Sequence, residues 1–343
     1  MAKFTVIDKE DLWNKSLNSV EFADPCHGFL FHKAYKSHQN GSSIKLLEYR
    51  DNDQYVLYPL IVFDIPKEIS NDNYKYATSA YGFTGHLIKG SKKFIDSAFK
   101  HIDQWIIQEK ICAEFIRFSP FLNWELDRLE KFNYQIVRNR ILAIWDKSKA
   151  CLNPDTKEFE CNMSKRAKKS GALFREINKN EMELFQDLYN QTMLLNNANQ
   201  FFFYSKDYFE SLYQKGSSHE NYLYGVFDDQ KLISAAWFIV FKDIAVYHLG
   251  CNNRNIPGVS NLVLRDGIKD LVMNKDVSKI NLTGGRSADK KDSLLKFKLS
   301  ISNFQKDFFI GKRTIMPRIF KELISKYDNL NPGNSSNKFI PWS

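Results

Sequence analysis

Leu249-Gly250-Cys251-Asn252-Asn253-Arg254-Asn255-Ile256-Pro257-Gly258-Val259-Ser260 is the stretch on which the fold turns. An apolar, β-branched run from Leu232 to Gly250 reads as strand, with a bend back at Lys242-Asp243. Polar residues, a proline and a glycine then break it, and from about Ser260 to Met273 the apolar residues recur at helical spacing. A strand that feeds a helix through a glycine loop is the building unit of a mixed sheet with helices on its faces. The same place is chemically useful. The first backbone N–H groups of a helix lack partners, and the helix dipole adds positive potential there, so an anion is favoured. Gly258 allows close approach of a phosphate, Ser260 or Asn261 can cap, and Arg254 adds charge.

Working outward, the second half begins with a basic helix near Asn162–Ser170 and a strand at Leu173–Ile177. Two helices follow, one carrying Met182, Phe185, Leu188, Tyr189 and Thr192, the other running from Lys206 to Tyr213. The strand Tyr222–Phe227 joins the long β run through Asp228-Asp229-Gln230. After the Ser260 helix come strands near Lys279–Leu282 and Phe304–Ile310, then a helix near Pro317–Tyr327.

The first half has the same order. Ser43–Tyr49 and Tyr55–Ile65 form a hairpin across Asp51-Asn52-Asp53, and Tyr74–Ala80 leads into the loop Tyr81-Gly82-Phe83-Thr84-Gly85. Ile95, Ala98, Phe99, Ile102, Trp105 and Ile106 mark a helix, Ala113–Phe118 a strand and Leu126–Phe132 a short helix. Tyr134–Trp145 closes the half, and Asp146–Asp155 is the linker. The expected class is α/β (α+β), with mixed central sheets flanked by helices in two tandem domains, 1–148 and 149–343.

Composition narrows the function. Apolar residues make up 43% of the 343, enough for a core in each half. The net charge of +9 admits polyanions as partners, from nucleotide sugars and coenzyme A to tRNA and DNA. Its one compact cluster is Lys165-Arg166-Ala167-Lys168-Lys169. The five cysteines, Cys26, Cys112, Cys151, Cys161 and Cys251, are odd in number and widely spaced, which excludes a usual zinc pattern and argues against a disulfide framework. With no signal-like start and no long apolar run, the expected location is the cytoplasm, without a membrane span and without a metal.

Several ordered motifs resemble one family. Tyr189-Asn190-Gln191-Thr192-Met193, followed by Phe202-Phe203-Tyr204 and Tyr208-Phe209, resembles the Tyr-x-x-Thr-Met helix, aromatic loop and Tyr-Phe helix of the FemAB-like branch of the GNAT acyltransferase superfamily. Ala80-Tyr81-Gly82-Phe83-Thr84-Gly85-His86-Leu87 resembles that branch's Pro-Tyr-Gly-Tyr-Gly-Gly-Pro-Leu loop, with Thr84 and His86 in place of a glycine and a proline. Met163 to Gly171 resembles its basic helix, and Gly284-Gly285 with Phe297-Lys298 resembles its Gly-Gly and Phe-Lys pairs.

The resemblance implies two GNAT-like domains with a cleft between them. It implies transfer of an acyl or aminoacyl group to an amine on a cell-envelope precursor. The match it suggests is with dTDP-amino-dideoxyhexose N-acyltransferases, which join acyl-coenzyme A to a nucleotide-linked amino sugar for cell-surface polysaccharide such as O-antigen. The alternatives are an aminoacyl-tRNA-dependent transferase acting on a peptidoglycan precursor and, in another class, a non-catalytic nucleic-acid-binding protein.

The implied donor contacts are Gly250, Arg254, Gly258, Val259, Ser260 and Asn261. His248, beside the anion loop, is the candidate base, because histidine titrates near neutral pH; strand alternation then sends Tyr247 to the opposite face. Lys298 is the implied charge-stabilising residue. For the acceptor, Tyr81, Gly82, Phe83 and His86 form one candidate wall, Arg166 a diphosphate contact, and Phe203 and Tyr204 stacking rings.

Overall fold

The computed structural model describes residues 2–122, 124–149, 154, 159–214, 219–253, 255–332 and 338–343. Its elements run β1 (Lys3–Ile7), α1 (Glu10–Asn18), α2 (Phe29–His38), β2 (Ser43–Asp51), β3 (Gln54–Asp64), β4 (Lys75–Thr78), β5 (Leu87–Lys89), α3 (Lys92–Gln108), β6 (Ile111–Arg117) and β7 (Gln135–Asp146). They continue with α4 (Asn162–Lys169), β8 (Leu173–Glu176), α5 (Met182–Leu195), α6 (Lys206–Leu212), β9 (Glu220–Asp228), β10 (Lys231–Phe241), β11 (Ile244–Asn252), α7 (Val259–Asn274), β12 (Lys279–Asn281), α8 (Ser293–Leu299), β13 (Phe304–Thr314) and α9 (Pro317–Leu330). The chain divides into two compact units: Met1–Asn139 with Phe308–Ser343, and Arg140–Asp307.

In the first unit β1, β2, β3 and β4 pair antiparallel in that order. β4 then runs parallel to β6, with α3 as the crossover between them. β3 is apolar almost throughout because it is central, and Tyr55 to Phe63 are all buried. The Phe94, Ile95, Ala98, Phe99, Ile102 and Ile106 stripe of α3 covers the sheet, and Ser91 caps the helix by accepting from Phe94 N–H.

The second unit repeats the plan. β8, β9, β10 and β11 pair antiparallel, and β11 runs parallel to β12 with α7 as the crossover. β7 adds antiparallel to the far edge of β12. α7 buries Leu262, Val263, Ile268 and Leu271 with Phe238, Ala245 and Ile280 of the sheet. Phe185 of α5 packs edge-on to Trp237, whose strand neighbour Phe238 belongs to the α7 cluster, so α5 lies on the opposite face.

The units differ from the 1–148 and 149–343 division, and the cause is local pairing. The end of β13 joins β6 through Ile310↔Arg117 to Thr314↔Ala113, which draws the last residues into the first unit. Buried Arg313 locks that register with ion pairs to Glu114 (3.3 Å) and Asp103 (2.7 Å). The linker expectation at 146–155 falls largely on residues outside those described. Its start is held by Asn303, which accepts from Asp146 N–H and donates to the Asp146 carbonyl. Among the described residues, no helix is long and apolar enough to cross a membrane, and Cys26, Cys112, Cys161 and Cys251 are free thiols.

Candidate active site

β11 is paired unevenly. Its β10 edge is bonded from Phe241↔Ile244 to Ser234↔Asn252, but its other edge meets β12 only at Ile244, Ala245 and Val246. From Tyr247 onward the two parallel strands separate, leaving an open edge on β11. A register shift also falls here: Trp237 faces Leu249 and Phe238 faces Tyr247, so His248 is the extra residue of a bulge. Bulges twist a strand and re-aim its side chains.

Tyr247 and His248 do point to opposite faces. Tyr247 packs on the α7 face, against Phe238. Its hydroxyl lies over Gly250, where a Cβ would collide with it, so glycine is what lets the ring lie back along the strand. His248 lies on the α5–α6 face, edge-on to Trp237 at 5.5 Å, with Nε2 2.9 Å from the Tyr208 hydroxyl. Burial pushes its pKa down to about 3, which keeps the ring neutral near pH 7 and makes it a weak base.

The strand end is tied to both flanking helices. Thr192 Oγ1 accepts from Asn252 N–H (3.2 Å) and donates to the Leu188 carbonyl (2.8 Å). Asn252 Nδ2 donates to Ser260 Oγ in the first turn of α7. Gly258 is the N-cap, with φ of 90° and no side-chain cap, and a Cβ there would collide with the Met163 carbonyl at the start of α4. Val259 is buried in the core, so only its backbone can serve a ligand. Ser260 and Asn261 are partly buried, and Arg254 lies outside the described residues. Gly250, Gly258, Val259, Ser260 and Asn261 thus gather where β11 passes into α7.

Lys298 is a charged side chain that reaches Tyr247 of β11. It is 5% exposed, with Nζ donating to Thr283 Oγ1 (2.5 Å) and the Gly284 carbonyl (3.0 Å) and lying 5.3 Å from the Tyr247 ring centre. Burial lowers its pKa to about 7; Asp292 opposes the shift and Arg140 adds to it. The Gly-Gly and Phe-Lys motifs are therefore one local construction. Asp292 caps α8 through Leu295 N–H and also accepts from Arg286 and Ser287 N–H, while Arg140 donates to the Gly285 carbonyl. His248 and Lys298, both expected as catalytic, are not brought together: the sheet lies between them.

Of the acceptor candidates, Tyr81 is exposed, its ring 5.0 Å from the Arg117 guanidinium. Gly82 is filled in by Cys26 and Phe31, and Phe83 packs edge-on to Phe308. His86 is not on a loop surface as expected. It is 0% exposed and stacked 4.0 Å on Tyr58, because the next residue, Leu87, begins β5 against β3, and the ring packs in the core. Tyr204 likewise packs inside: it is buried and stacked 4.1 Å on Tyr208, so it closes the core beneath α6. Phe203 is partly buried and Arg166 is exposed on α4.

The residues that sequence reasoning missed are partners rather than motif positions. Thr192 and Tyr208 sit in quoted motifs, but their contacts to Asn252 and His248 are tertiary. Arg140 meets Gly285 across 145 positions. Thr283 owes its interest to a backbone angle that sequence does not reveal.

No protein-family profile matches the chain, and no curated protein matches it. Solved structures do. FemX is 12% identical, over 93% of this chain and 99% of that one, with a TM-score of 0.70. L-PGS from Bacillus licheniformis is 9% identical over 89% and 92%, with a TM-score of 0.58. A tandem GNAT protein from the clavulanic acid biosynthesis pathway is 10% identical over 92% and 99%, with a TM-score of 0.52. At such identities the likeness is one of fold, and it agrees with the repeated strand–helix–strand plan: the chain has a tandem GNAT-like fold, of the kind seen in FemX.

Proposed function

We propose that the chain is an N-acyltransferase that moves an acyl group from acyl-coenzyme A to the amine of a nucleotide-linked (dTDP) amino-dideoxy sugar, with the donor held by the second unit. One observation carries this reading: the open edge of β11 runs into an α7 start that has no side-chain cap, with buried Lys298 alongside. The N–H groups of the first α7 turn take the pyrophosphate. Arg254 belongs to the same proposal as an added charge. The acyl carbonyl lies along β11 beyond Val246, where backbone N–H groups can serve its developing oxyanion. The neutral acceptor amine attacks that carbon, the C–S bond breaks, and the proton lost by the nitrogen ends on the departing sulfur, which leaves as the thiol. Lys298 in its ammonium form offsets the negative charge that develops. His248, neutral and across the sheet, is given a packing role.

Tyr81, Gly82 and Phe83 remain the proposed acceptor residues of the first unit, with Arg166 and Phe203 in the second. The acyl-coenzyme A donor is supported by the GNAT-like fold, and the amino-sugar acceptor by the motif resemblance. A second reading, aminoacyl-tRNA as donor and a peptidoglycan precursor as acceptor, is favoured by the likeness to FemX over nearly the whole chain. Thiol release from acyl-coenzyme A in the presence of a dTDP-amino sugar tests the first reading. Transfer from charged tRNA, with no release from any acyl-coenzyme A, overturns it in favour of the second. Salt-sensitive binding of single-stranded nucleic acid with neither activity would point to the non-catalytic class.

A further inference from the structure

Thr283 has φ of 66°, and among the described residues it is the one β-branched side chain in the left-handed region. Such a conformation is a genuine outlier for that residue type, and persists only where the surroundings impose it. The position is odd in another way. Two glycines follow at once, yet Gly284 and Gly285 do not have positive φ. Each is glycine for want of room instead: a Cβ at Gly284 would press on Arg140 and the Ile141 carbonyl, and one at Gly285 on the Asp292 carboxylate. The chain thus keeps a threonine at the angle that suits glycine.

The neighbouring bonds show what this conformation achieves. Thr283 N–H donates to Asn281 Oδ1 (2.9 Å), and its carbonyl accepts from Ala143 N–H (3.0 Å), so both backbone groups are fixed by β12 and β7. The left-handed turn then points the Thr283 hydroxyl and the Gly284 carbonyl at one ammonium, that of Lys298. Asp292 at the cap of α8, Arg140 on β7 and the Tyr247 ring on β11 are the other charged or titratable groups that bear on that nitrogen.

We propose that Thr283 is a positioning residue for Lys298, its strained backbone being retained because it aims the hydroxyl that holds the lysine ammonium beside the open edge of β11. The proposal rests on the reading of Lys298 as the working charge, and its test is chosen to separate the two. Thr283→Ser keeps the hydroxyl, Thr283→Val removes it at constant shape, and Thr283→Gly removes it while relieving the backbone. Competitive labelling with acetic anhydride, read by mass spectrometry across pH, gives the midpoint for Lys298 whether or not a substrate is known.

Loss of an acceptor disfavours the ammonium. The Val and Gly variants are therefore expected to move that midpoint to lower pH and to label Lys298 faster, while Ser stays at the wild-type value. Thr283→Gly should match or exceed the wild-type Tm while losing at least tenfold in transfer rate; a residue serving the turn alone would gain stability at no cost in rate. Unchanged labelling of Lys298 in both Val and Gly variants overturns the proposal. A shifted midpoint supports it, and a shifted midpoint with an unchanged rate removes Lys298 from the reaction instead.

Discussion

His86→Phe is the substitution whose consequence can be worked furthest from the structure. His86 is fully buried, stacked on Tyr58, and neither ring nitrogen has a hydrogen-bond partner. Burial, then Arg313 and His27, push its pKa down to about 3. Burial likewise takes His27 to about 3 and His32 to about 4, and raises Asp24 to about 7. A histidine with a lowered folded pKa binds its proton only when unfolded, so stability is lost as pH falls below the unfolded value of 6.5. Asp24 acts in the opposite sense between its unfolded 3.8 and about 7, because there the folded state holds the extra proton.

In the first unit these four groups, three histidines less one aspartate, together take up about two protons on unfolding near pH 5, a slope of about 2.7 kcal/mol per pH unit from them, which the raised carboxyl of Glu114 opposes. Removing His86 lowers that slope by about 1.4 kcal/mol per pH unit, or about 2 kcal/mol between pH 7 and pH 5. At pH 7 the exchange of an unpartnered ring for an apolar one should cost less than about 1.5 kcal/mol. Hydrogen exchange of the α3 amides at pH 7 and pH 5 reports opening of the first unit and checks the difference. Equal acid destabilisation of variant and wild type would refute the argument, and a loss of transfer activity would restore His86 as a substrate contact.

Lys298→Met should fold and lose roughly a hundredfold in rate, the scale of removing one charge-stabilising donor. The same variant should lose a descending limb in the pH–rate profile near pH 7, where the wild-type lysine gives up its proton. Gly258→Ala meets the Met163 carbonyl and an unfavourable φ, so calorimetry should show a loss of about 1–3 kcal/mol, with donor affinity falling at least tenfold. Tyr208→Phe removes the hydroxyl 2.9 Å from His248 Nε2 and should cost about 1 kcal/mol in urea unfolding. Its transfer rate should stay near wild type, since His248 lies across the sheet from Lys298.

The long central strands and the amphipathic helices were legible because each has one period or one continuous run: β3, β10 and β11 with the bend at Lys242-Asp243, and α3 and α7. α2 was not. Phe29, Leu30, Phe31, His32, Ala34 and Tyr35 are all buried, and the polar face is a narrow strip, Lys33, Lys36 and Ser37, too short to set a rhythm. β1 and β5 are too short to show a pattern, and α8 is a seven-residue helix whose meaning lies in where Lys298 lands. The donor loop and Lys298 could be picked out by motif. Their holding contacts could not, since Thr192 to Asn252 and Arg140 to Gly285 join distant parts of the chain. His86 misled because it stands at a loop position next to glycine, while the pairing of β5 turns it inward.

The most direct test of the donor site is a titration of the 15N-labelled protein with coenzyme A, followed through backbone amide shifts. Saturating shifts at Val259, Ser260 and Asn261 and along Leu249 to Asn252, weakened in Gly258→Ala, are predicted. Shifts confined to the first unit, or none at millimolar coenzyme A, would contradict the account.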